Sequence, residues 1–146
     1  MRNFIISTAL VIAAGTAFAQ ASPVGVWKTI DDKTKTERAQ VRISESGGVL
    51  SGKIERLLAP DAKQDGVCDK CEDDRKDKPM IGLEIVRGVK KAEADNTWDS
   101  GTILDAAEGK IYKVRLQLAD GGKKLEVRGF IGAPILGRTQ VWNRVE

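Results

Sequence analysis

The sequence predicts an all-β fold, a single small antiparallel up-and-down barrel of about eight strands. Apolar and polar residues alternate along most of the chain after residue 20, which is the period of a half-buried strand. Clusters of Gly, Pro, Asp and Asn separate the alternating runs at a spacing typical of all-β sandwiches and barrels. No run has the period of an amphipathic helix. The short hairpin turns favour up-and-down connectivity, and closing such a sheet removes its exposed edges.

The first segment of the chain is not expected to be part of the barrel. Residues 1–19 combine a basic Arg2, an apolar run over 4–14 and a small-residue cleavage site, AFA, which together predict a secretory signal peptide. The run is too short to span a bilayer, and no cysteine follows it to accept a lipid. We therefore expect a barrel domain over 20–146, located in the periplasm or secreted.

The predicted strands follow in order, each bounded by turn residues. They are VGVWKTI, RAQVRIS, VLSGKIERL, PMIGLEIVRG, SGTIL, KIYKVRLQLA, KKLEVRGFIG and GRTQVWNRV. The glycine-rich turns ESGG and ADGG close two hairpins. Alternation places one set of apolar side chains on the same face of each strand: Val41, Ile43, Leu50, Ile54, Tyr112, Val114, Leu116, Leu118, Leu125, Val127 and Ile131. Residues 59–78 are the one long connection, a surface loop rich in Asp and Lys.

The charge of the chain is nearly balanced. It has 24 basic and 21 acidic side chains, a net charge of +3. This balance is too even to imply a nucleic-acid partner. From Lys110 onward, however, there are eight Lys or Arg against three acids. A solvated face of the sheet explains this excess, and attraction to anionic ligands or surfaces is the alternative.

Cys68 and Cys71, the only cysteines, lie in the long loop. Acidic neighbours at 65, 69 and 72–74 disfavour the thiolate that redox chemistry requires. Structural zinc normally takes four Cys or His ligands, and this chain has no histidine and no further cysteine. We predict a disulfide that orders the loop locally, worth about 2 kcal/mol for so short a ring. Redox activity, or a metal site that borrows carboxylates, remains the alternative.

Nothing in the sequence assembles an active site. The lack of histidine excludes Ser-His-Asp and Cys-His hydrolysis and histidine-bound metals. The carboxylates available for acid–base chemistry are Asp31, Asp32, Glu84, Asp99, Asp105 and Glu108. Each lies beside a predicted turn or on the polar face of a predicted strand, and Asp31, Asp32 and Asp105 are placed as turn initiators. The sequence therefore indicates neither an enzyme nor a bound cofactor.

Two tryptophans mark the first and last strands. Trp27 follows Gly25 in the first strand, and Trp142 precedes Arg144 in the last. In a closed barrel these strands are neighbours, so an arginine can lie across the Trp27 indole and help to shut one end. Arg144 is the first candidate for this role and Arg138 its rival. The pattern resembles the Gly-x-Trp and late Arg signature of lipocalins and other calycins.

A second resemblance covers nearly the whole chain after residue 20. It is carried by PVGVWKTIDD, SGKIERL, CDKC leading into KDKPMIGLEI, SGTILDAAEGKIYK and LEVRGFIGAPILGRTQVWNR, in that order. These segments resemble the exported bacterial family called domain of unknown function 2147. In that family the turn after ILD commonly carries Pro and Asn, where this chain has AAE. The resemblance implies a lipocalin-like barrel and brings no established reaction or catalytic residues.

The barrel suggests a function of two possible kinds, because a barrel of this size either is filled by side chains or keeps a cavity for one ligand. We expect a binder of a small apolar or amphiphilic ligand. Trp98, Tyr112 and Phe130 are then candidates for the lining or the rim, and Arg128 or Arg138 for contact with an acidic headgroup. The alternative is a filled barrel that serves as a structural or interaction module of the cell envelope. The sequence identifies no protein partner.

Overall fold

The computed structural model describes residues 21–146, so the predicted signal peptide at 1–19 lies outside the described residues. The strands are β1 (Gly25–Ile30), β2 (Glu37–Ser46), β3 (Val49–Leu57), β4 (Glu84–Lys91), β5 (Thr97–Asp105), β6 (Lys110–Ala119), β7 (Lys124–Phe130) and β8 (Arg138–Arg144). Two 3₁₀ turns, Asp120–Gly122 and Pro134–Leu136, are the helical elements of this part of the chain. None of its helices is long and apolar enough to cross a membrane.

The eight strands form one closed antiparallel barrel in which each strand pairs with the next in sequence. This confirms the predicted all-β up-and-down architecture. The last seam, between β1 and β8, has only two residue pairs, Trp27 opposite Arg144 and Lys28 opposite Asn143. By comparison, β6 and β7 pair continuously from Lys113 and Phe130 to their shared turn. The closing seam is therefore short.

Glycine permits the two predicted hairpin turns. Gly47 and Gly48 join β2 to β3 with φ angles of 58° and 79°, and Gly121 and Gly122 lie in the 3₁₀ turn between β6 and β7. Positive φ places a residue in the left-handed region, where the absence of a Cβ removes the steric penalty. The chain can thus reverse within two or three residues and keep neighbouring strands in register.

The inward faces of the strands form one hydrophobic core. Its most buried members include Trp27, Val41, Ile43, Leu50, Leu116, Leu125 and Trp142. The alternation predicted most of these positions, but Ile131 is 68% exposed because β7 ends at Phe130 and the chain turns away at Gly132. Similarly, β4 begins at Glu84 and not at Pro79, since Gly82 has a φ of 88° and interrupts the extended chain.

The connections divide between the two ends of the barrel. Residues 31–36, 58–83, 106–109 and 131–137 join strands at one end, here called the mouth. The hairpin turns at 47–48, 92–96 and 120–123 lie at the opposite end, here called the closed end, with residues 21–24 and 145–146. The long loop at 58–83 therefore belongs to the mouth.

Candidate ligand-binding cavity

The closed end is sealed around Trp27 and Arg144. The guanidinium carbon of Arg144 lies 4.3 Å from the centre of the Trp27 ring, and the indole N–H donates to the Pro23 carbonyl oxygen at 2.8 Å. The guanidinium also donates to the carbonyl oxygens of Ser22, Val24 and Gly122, at 2.6, 2.9 and 2.7 Å. Burial lowers the pKa of Arg144. Arg144 thus ties together β8, the segment that precedes β1 and a hairpin turn.

Gly25 explains the Gly-x-Trp spacing of the first strand. Its φ is 142°, and a Cβ at this position would lie 2.6 Å from Nη1 of Arg144 and would collide with the carbonyl oxygen of Glu146. Only glycine leaves room there for the guanidinium and for the chain that follows β8.

A cavity of about 640 Å³ opens at the mouth. Its walls are mainly apolar and include Ile54, Ile85, Ile103, Leu104, Val127 and Trp142. Pockets for small ligands have volumes of about 300–1,000 Å³, so this cavity has the size of a binding site. The barrel interior is filled by side chains towards the closed end and open towards the mouth.

Few polar groups face the interior. Thr29 Oγ1 accepts a hydrogen bond from the Ala39 N–H at 3.1 Å, and Gln140 Oε1 accepts one from the Trp142 indole at 3.1 Å. The Tyr112 hydroxyl, which also lines the cavity, forms no hydrogen bond with residues 21–146. The Tyr112 hydroxyl is therefore left for a ligand, as are the Gln140 amide N–H groups and the Thr29 O–H.

The acids of the rim are held by local partners. Asp31 Oδ1 accepts the backbone N–H groups of Thr34 and Lys33 at 2.8 and 2.9 Å, and these bonds lower the pKa of Asp31. Asp105 accepts two N–H groups in the β5–β6 turn in the same way. Both acids initiate turns, as predicted.

Asp32 differs from these two acids, because its Oδ2 accepts a hydrogen bond from Nη2 of Arg138 at 2.6 Å. This bond raises the pKa of Arg138.

Two cations of the rim have no such partner. Lys33 and Arg38 line the cavity, and neither forms an ion pair with a residue in 21–146. Sequence reasoning missed Arg38 because simple alternation from Val41 assigns it to the outer face. The pairing of β1 with β2 skips Arg38, because Thr29 is opposite Ala39 and Ile30 is opposite Glu37, and such a bulge can re-aim a side chain.

The long mouth loop contains the predicted disulfide. Cys68 and Cys71 are bonded to each other, with Cα atoms 5.5 Å apart, and both side chains are buried in the core cluster. Cys68 Sγ lies 3.7 Å from the Ala106 carbonyl oxygen in the β5–β6 turn. A Cβ at Gly109 would collide with the Lys70 carbonyl oxygen. The disulfide segment therefore packs directly on the β5–β6 turn, beside the cavity.

Two arginines fasten the same loop to β4. Arg75 is 4% exposed and donates to Asp73 Oδ2 at 2.5 Å and to the Glu84 carbonyl oxygen at 2.9 Å. Arg87 donates to both carboxylate oxygens of Asp74, at 2.9 and 2.8 Å, and to Glu84 Oε1 at 2.6 Å. Hydrogen bonding to Arg75 lowers the pKa of Asp73 to about 2. We call this group the arginine clasp; sequence analysis did not anticipate it.

Three of the predicted ligand-binding residues line the cavity: Tyr112, Phe130 and Arg138. Trp98 and Arg128 do not. Trp98 is buried near the start of β5, towards the closed end, with Lys91 Nζ 5.2 Å from the centre of its ring. It contributes to the filled part of the barrel.

Arg128 lies on the outer face of β7. The inward positions on either side of it belong to Val127 and Gly129, which line the cavity. The guanidinium of Arg128 instead donates to Thr139 Oγ1 and to the Pro134 carbonyl oxygen, both at 2.7 Å. Because successive side chains of a strand point to opposite faces of the sheet, Arg128 lies outside the barrel although both of its neighbours line the cavity.

Comparison with known proteins agrees with the barrel. Residues 25–144 match a family described as an uncharacterized protein conserved in bacteria, DUF2147. The chain belongs to this family. A solved structure similar to the DUF2147 barrel is protein HP1028 from the human pathogen Helicobacter pylori, which belongs to the lipocalin family. The identity is 16% and the TM-score 0.73, over 86% of this chain and 84% of that one. At this identity the likeness shows the fold alone. A comparison of the DUF2147 chain with curated proteins finds no match.

Proposed function

We propose that the protein is a carrier that holds one amphiphilic small molecule, with the apolar part inside the barrel and an acidic headgroup at the mouth. The observation that supports this most directly is the order of the cavity lining, with apolar side chains at depth and charged side chains at the rim. Burial of an apolar chain is favourable by about 25 cal/mol per Å². A headgroup at the rim keeps its contact with water and with fixed charges.

Two cations of the rim are available to an anionic headgroup. Asp31 and Asp105 accept turn N–H groups, Asp32 pairs with Arg138, and Glu108 pairs with Lys110. Lys33 and Arg38, by contrast, have no carboxylate partner within ion-pair distance among residues 21–146. An incoming carboxylate or phosphate can pair with these two cations without first breaking an ion pair. The Tyr112 hydroxyl supplies a further donor in the cavity. The alternative of a filled barrel is less well supported, because the mouth half contains the cavity.

The proposed place of action is outside the cytoplasm. A disulfide in a buried segment persists in an oxidising compartment, and residues 1–19 have the pattern of a cleaved leader. Denatured, non-reduced mass spectrometry of protein from a periplasmic extract is expected to give the mass of 20–146 less two hydrogens. A mass that retains residues 1–19, or both thiols, contradicts this part of the proposal.

Ligand binding is tested by titration with cis-parinaric acid, a fatty acid whose fluorescence rises in an apolar site. We expect saturable binding of one molecule per chain. Gly129→Leu should weaken it at least about tenfold, because Gly129 lines the cavity and a Cβ there meets Tyr112 and Ile103 at ordinary distances of 3.5 and 3.7 Å. The added side chain therefore occupies cavity volume without straining the strand.

The matched control is Val141→Leu, which adds bulk on the outer face of β8, where Val141 is 40% exposed. This variant should bind the probe like the wild type. Absence of saturable binding by the wild type, or equal binding by the Gly129→Leu variant, would overturn the proposal.

A further inference from the structure

We propose that the connection between β7 and β8, residues 131–137, docks onto an anionic phospholipid bilayer. This segment, here called the apolar loop, exposes three large apolar side chains. Ile131, Ile135 and Leu136 are 68%, 84% and 75% exposed. Single exposed apolar residues are common on protein surfaces, whereas a cluster of them marks an interaction site.

The apolar loop is continuous with the cavity. Ile131 and Leu136 line the mouth, and Ile135 lines a separate groove of about 400 Å³ on the outer face of the sheet. The apolar surface thus runs from the barrel interior across the loop to its outer side. A bilayer in contact with the loop would lie directly beside the mouth.

The loop is braced so that its side chains stay outward. Arg128 donates to the Pro134 carbonyl oxygen at 2.7 Å. The 3₁₀ turn Pro134–Leu136 fixes the backbone conformation of the loop. At the end of the loop, a Cβ on Gly137 would lie 2.9 Å from Phe130 Cβ, so the backbone packs closely against β7. These contacts use the backbone of the loop and leave Ile135 and Leu136 in solvent.

Cations surround the base of the apolar loop. Arg115 is directly opposite Arg128 in the β6–β7 register, and Lys113 is opposite Phe130. The Arg115 side chain forms no ion pair or hydrogen bond within residues 21–146, and the partners of the Arg128 side chain are uncharged oxygens. Like charges directly opposite on neighbouring strands repel each other. Glu126 is the single acid that lines the groove beside them, so an anion would relieve this repulsion.

The order of these features matches a bilayer surface. The apolar side chains are outermost on the loop, and the cations are set back on the strands. In an anionic bilayer the apolar interior lies beneath a layer of negatively charged phosphates, so inserting the loop brings Arg115 to the phosphates. Interfacial binding of this kind combines buried apolar area with attraction to anionic lipid. Docking does not require a ligand in the cavity and is independent of the proposed function.

The test is co-sedimentation with vesicles of phosphatidylglycerol and phosphatidylcholine in equal parts, and with vesicles of phosphatidylcholine alone. The wild type should bind the anionic vesicles more tightly, and added salt should weaken that binding. The double variant Ile135→Ser/Leu136→Ser should bind about tenfold to a hundredfold more weakly. Arg115→Gln should weaken binding to anionic vesicles and reduce its dependence on salt.

The matched control is Val145→Ser, which removes an exposed apolar side chain at the closed end and should bind like the wild type. All variants carry the same N terminus, so residues 1–20 contribute equally, and circular dichroism verifies their fold. No binding of the wild type to anionic vesicles overturns the inference, as does equal binding by the double variant. Self-association without vesicle binding, abolished by the double variant, would assign the loop to a second protein copy and also overturn it.

Discussion

Trp27 and Arg144 stand opposite each other on the first and last strands of the barrel, with the guanidinium 4.3 Å from the centre of the indole. The contact lies in the seam that has only two residue pairs. The guanidinium adds three hydrogen bonds to backbone carbonyls there. Val26 also exchanges backbone hydrogen bonds with Val145 and Glu146 beyond β8, so this side chain and the backbone close the seam together.

Loss of this arginine should weaken the whole barrel. We expect Arg144→Ala to lower the free energy of unfolding by about 2–4 kcal/mol, because it removes a cation–π contact and leaves carbonyl oxygens without their donor. Urea denaturation followed by tryptophan fluorescence measures the change. Arg56→Ala, an exposed position on β3, should change stability by no more than about 0.5 kcal/mol. Equal losses in the two variants would contradict this account of the seam.

Gly109 and Gly48 form a matched pair that isolates the contact under the disulfide segment. Both have positive φ, 74° and 79°, so alanine introduces similar backbone strain at each, of about 1–2 kcal/mol. At Gly48 nothing lies within 4 Å of an added Cβ, whereas at Gly109 the Cβ would collide with the Lys70 carbonyl oxygen.

Gly109→Ala should therefore be more destabilising than Gly48→Ala by at least about 1 kcal/mol. It should also increase the rate at which protease cleaves the loop at 58–83. Urea denaturation and limited proteolysis measure the two effects. If both variants behave alike, the disulfide segment does not rest on the β5–β6 turn as described.

The arginine clasp predicts a specific response to acid. Hydrogen bonding to Arg75 lowers the pKa of Asp73 from 3.8 to about 2 in the folded protein. A carboxyl with a lower pKa in the folded state stabilises the fold fully above about pH 4, and this contribution is lost as the pH falls towards 2. Because the carboxylate is partly exposed, solvent screening reduces the contribution to about 1–2 kcal/mol.

Comparison of the wild type with Asp73→Asn by urea denaturation between about pH 5 and pH 2 tests this response. The variant should be less stable at the upper pH, since Arg75 is buried and loses a charged partner. Its stability should then fall less steeply on acidification. If the free energy of unfolding falls equally with pH in the two proteins, Asp73 is not the cause of the loss of stability in acid.

Arg38 and Arg138 should differ in their effect on binding of an anionic amphiphile. Arg38→Gln should weaken binding of cis-parinaric acid about tenfold, since this arginine has no carboxylate partner among residues 21–146. Arg138→Gln should have a smaller effect, because Asp32 already neutralises Arg138. Arg56→Gln serves as the control for a lost surface cation. A larger effect at Arg138 would reverse the assignment of the headgroup site.

Strand order and barrel closure could be predicted from the sequence because both depend on local information. Alternation identifies the inward side chains, and glycine-rich turns set the connections, as at Gly47 and Gly48. The prediction was wrong at Ile131, where one glycine ends the strand before the pattern of apolar residues ends. Tyr112 was placed correctly on the inward face by the same alternation.

The candidate site was less predictable, since it depends on where loops cross strands. The clasp requires Arg75 of the loop to reach Glu84 and Asp74 of the loop to reach Arg87 on β4, which the path of a long loop determines. Arg38 reaches the rim at a bulge in the pairing of β1 with β2, which composition does not reveal. Arg128 was predicted to bind the ligand because of its charge. The alternation of side chains along β7 would have assigned it to the outer face.

The seam between β1 and β8 also determines the order in which the barrel can assemble. Strands β2 to β7 each have both partners next to them in sequence, whereas β1 meets its second partner only when the last strand is in place. Contacts between distant parts of a chain form late, because a long loop must close first. Until then β1 and β8 present bare edges to other unfolded chains. The first and last strands are thus the parts of the folding barrel that are exposed to mispairing for longest.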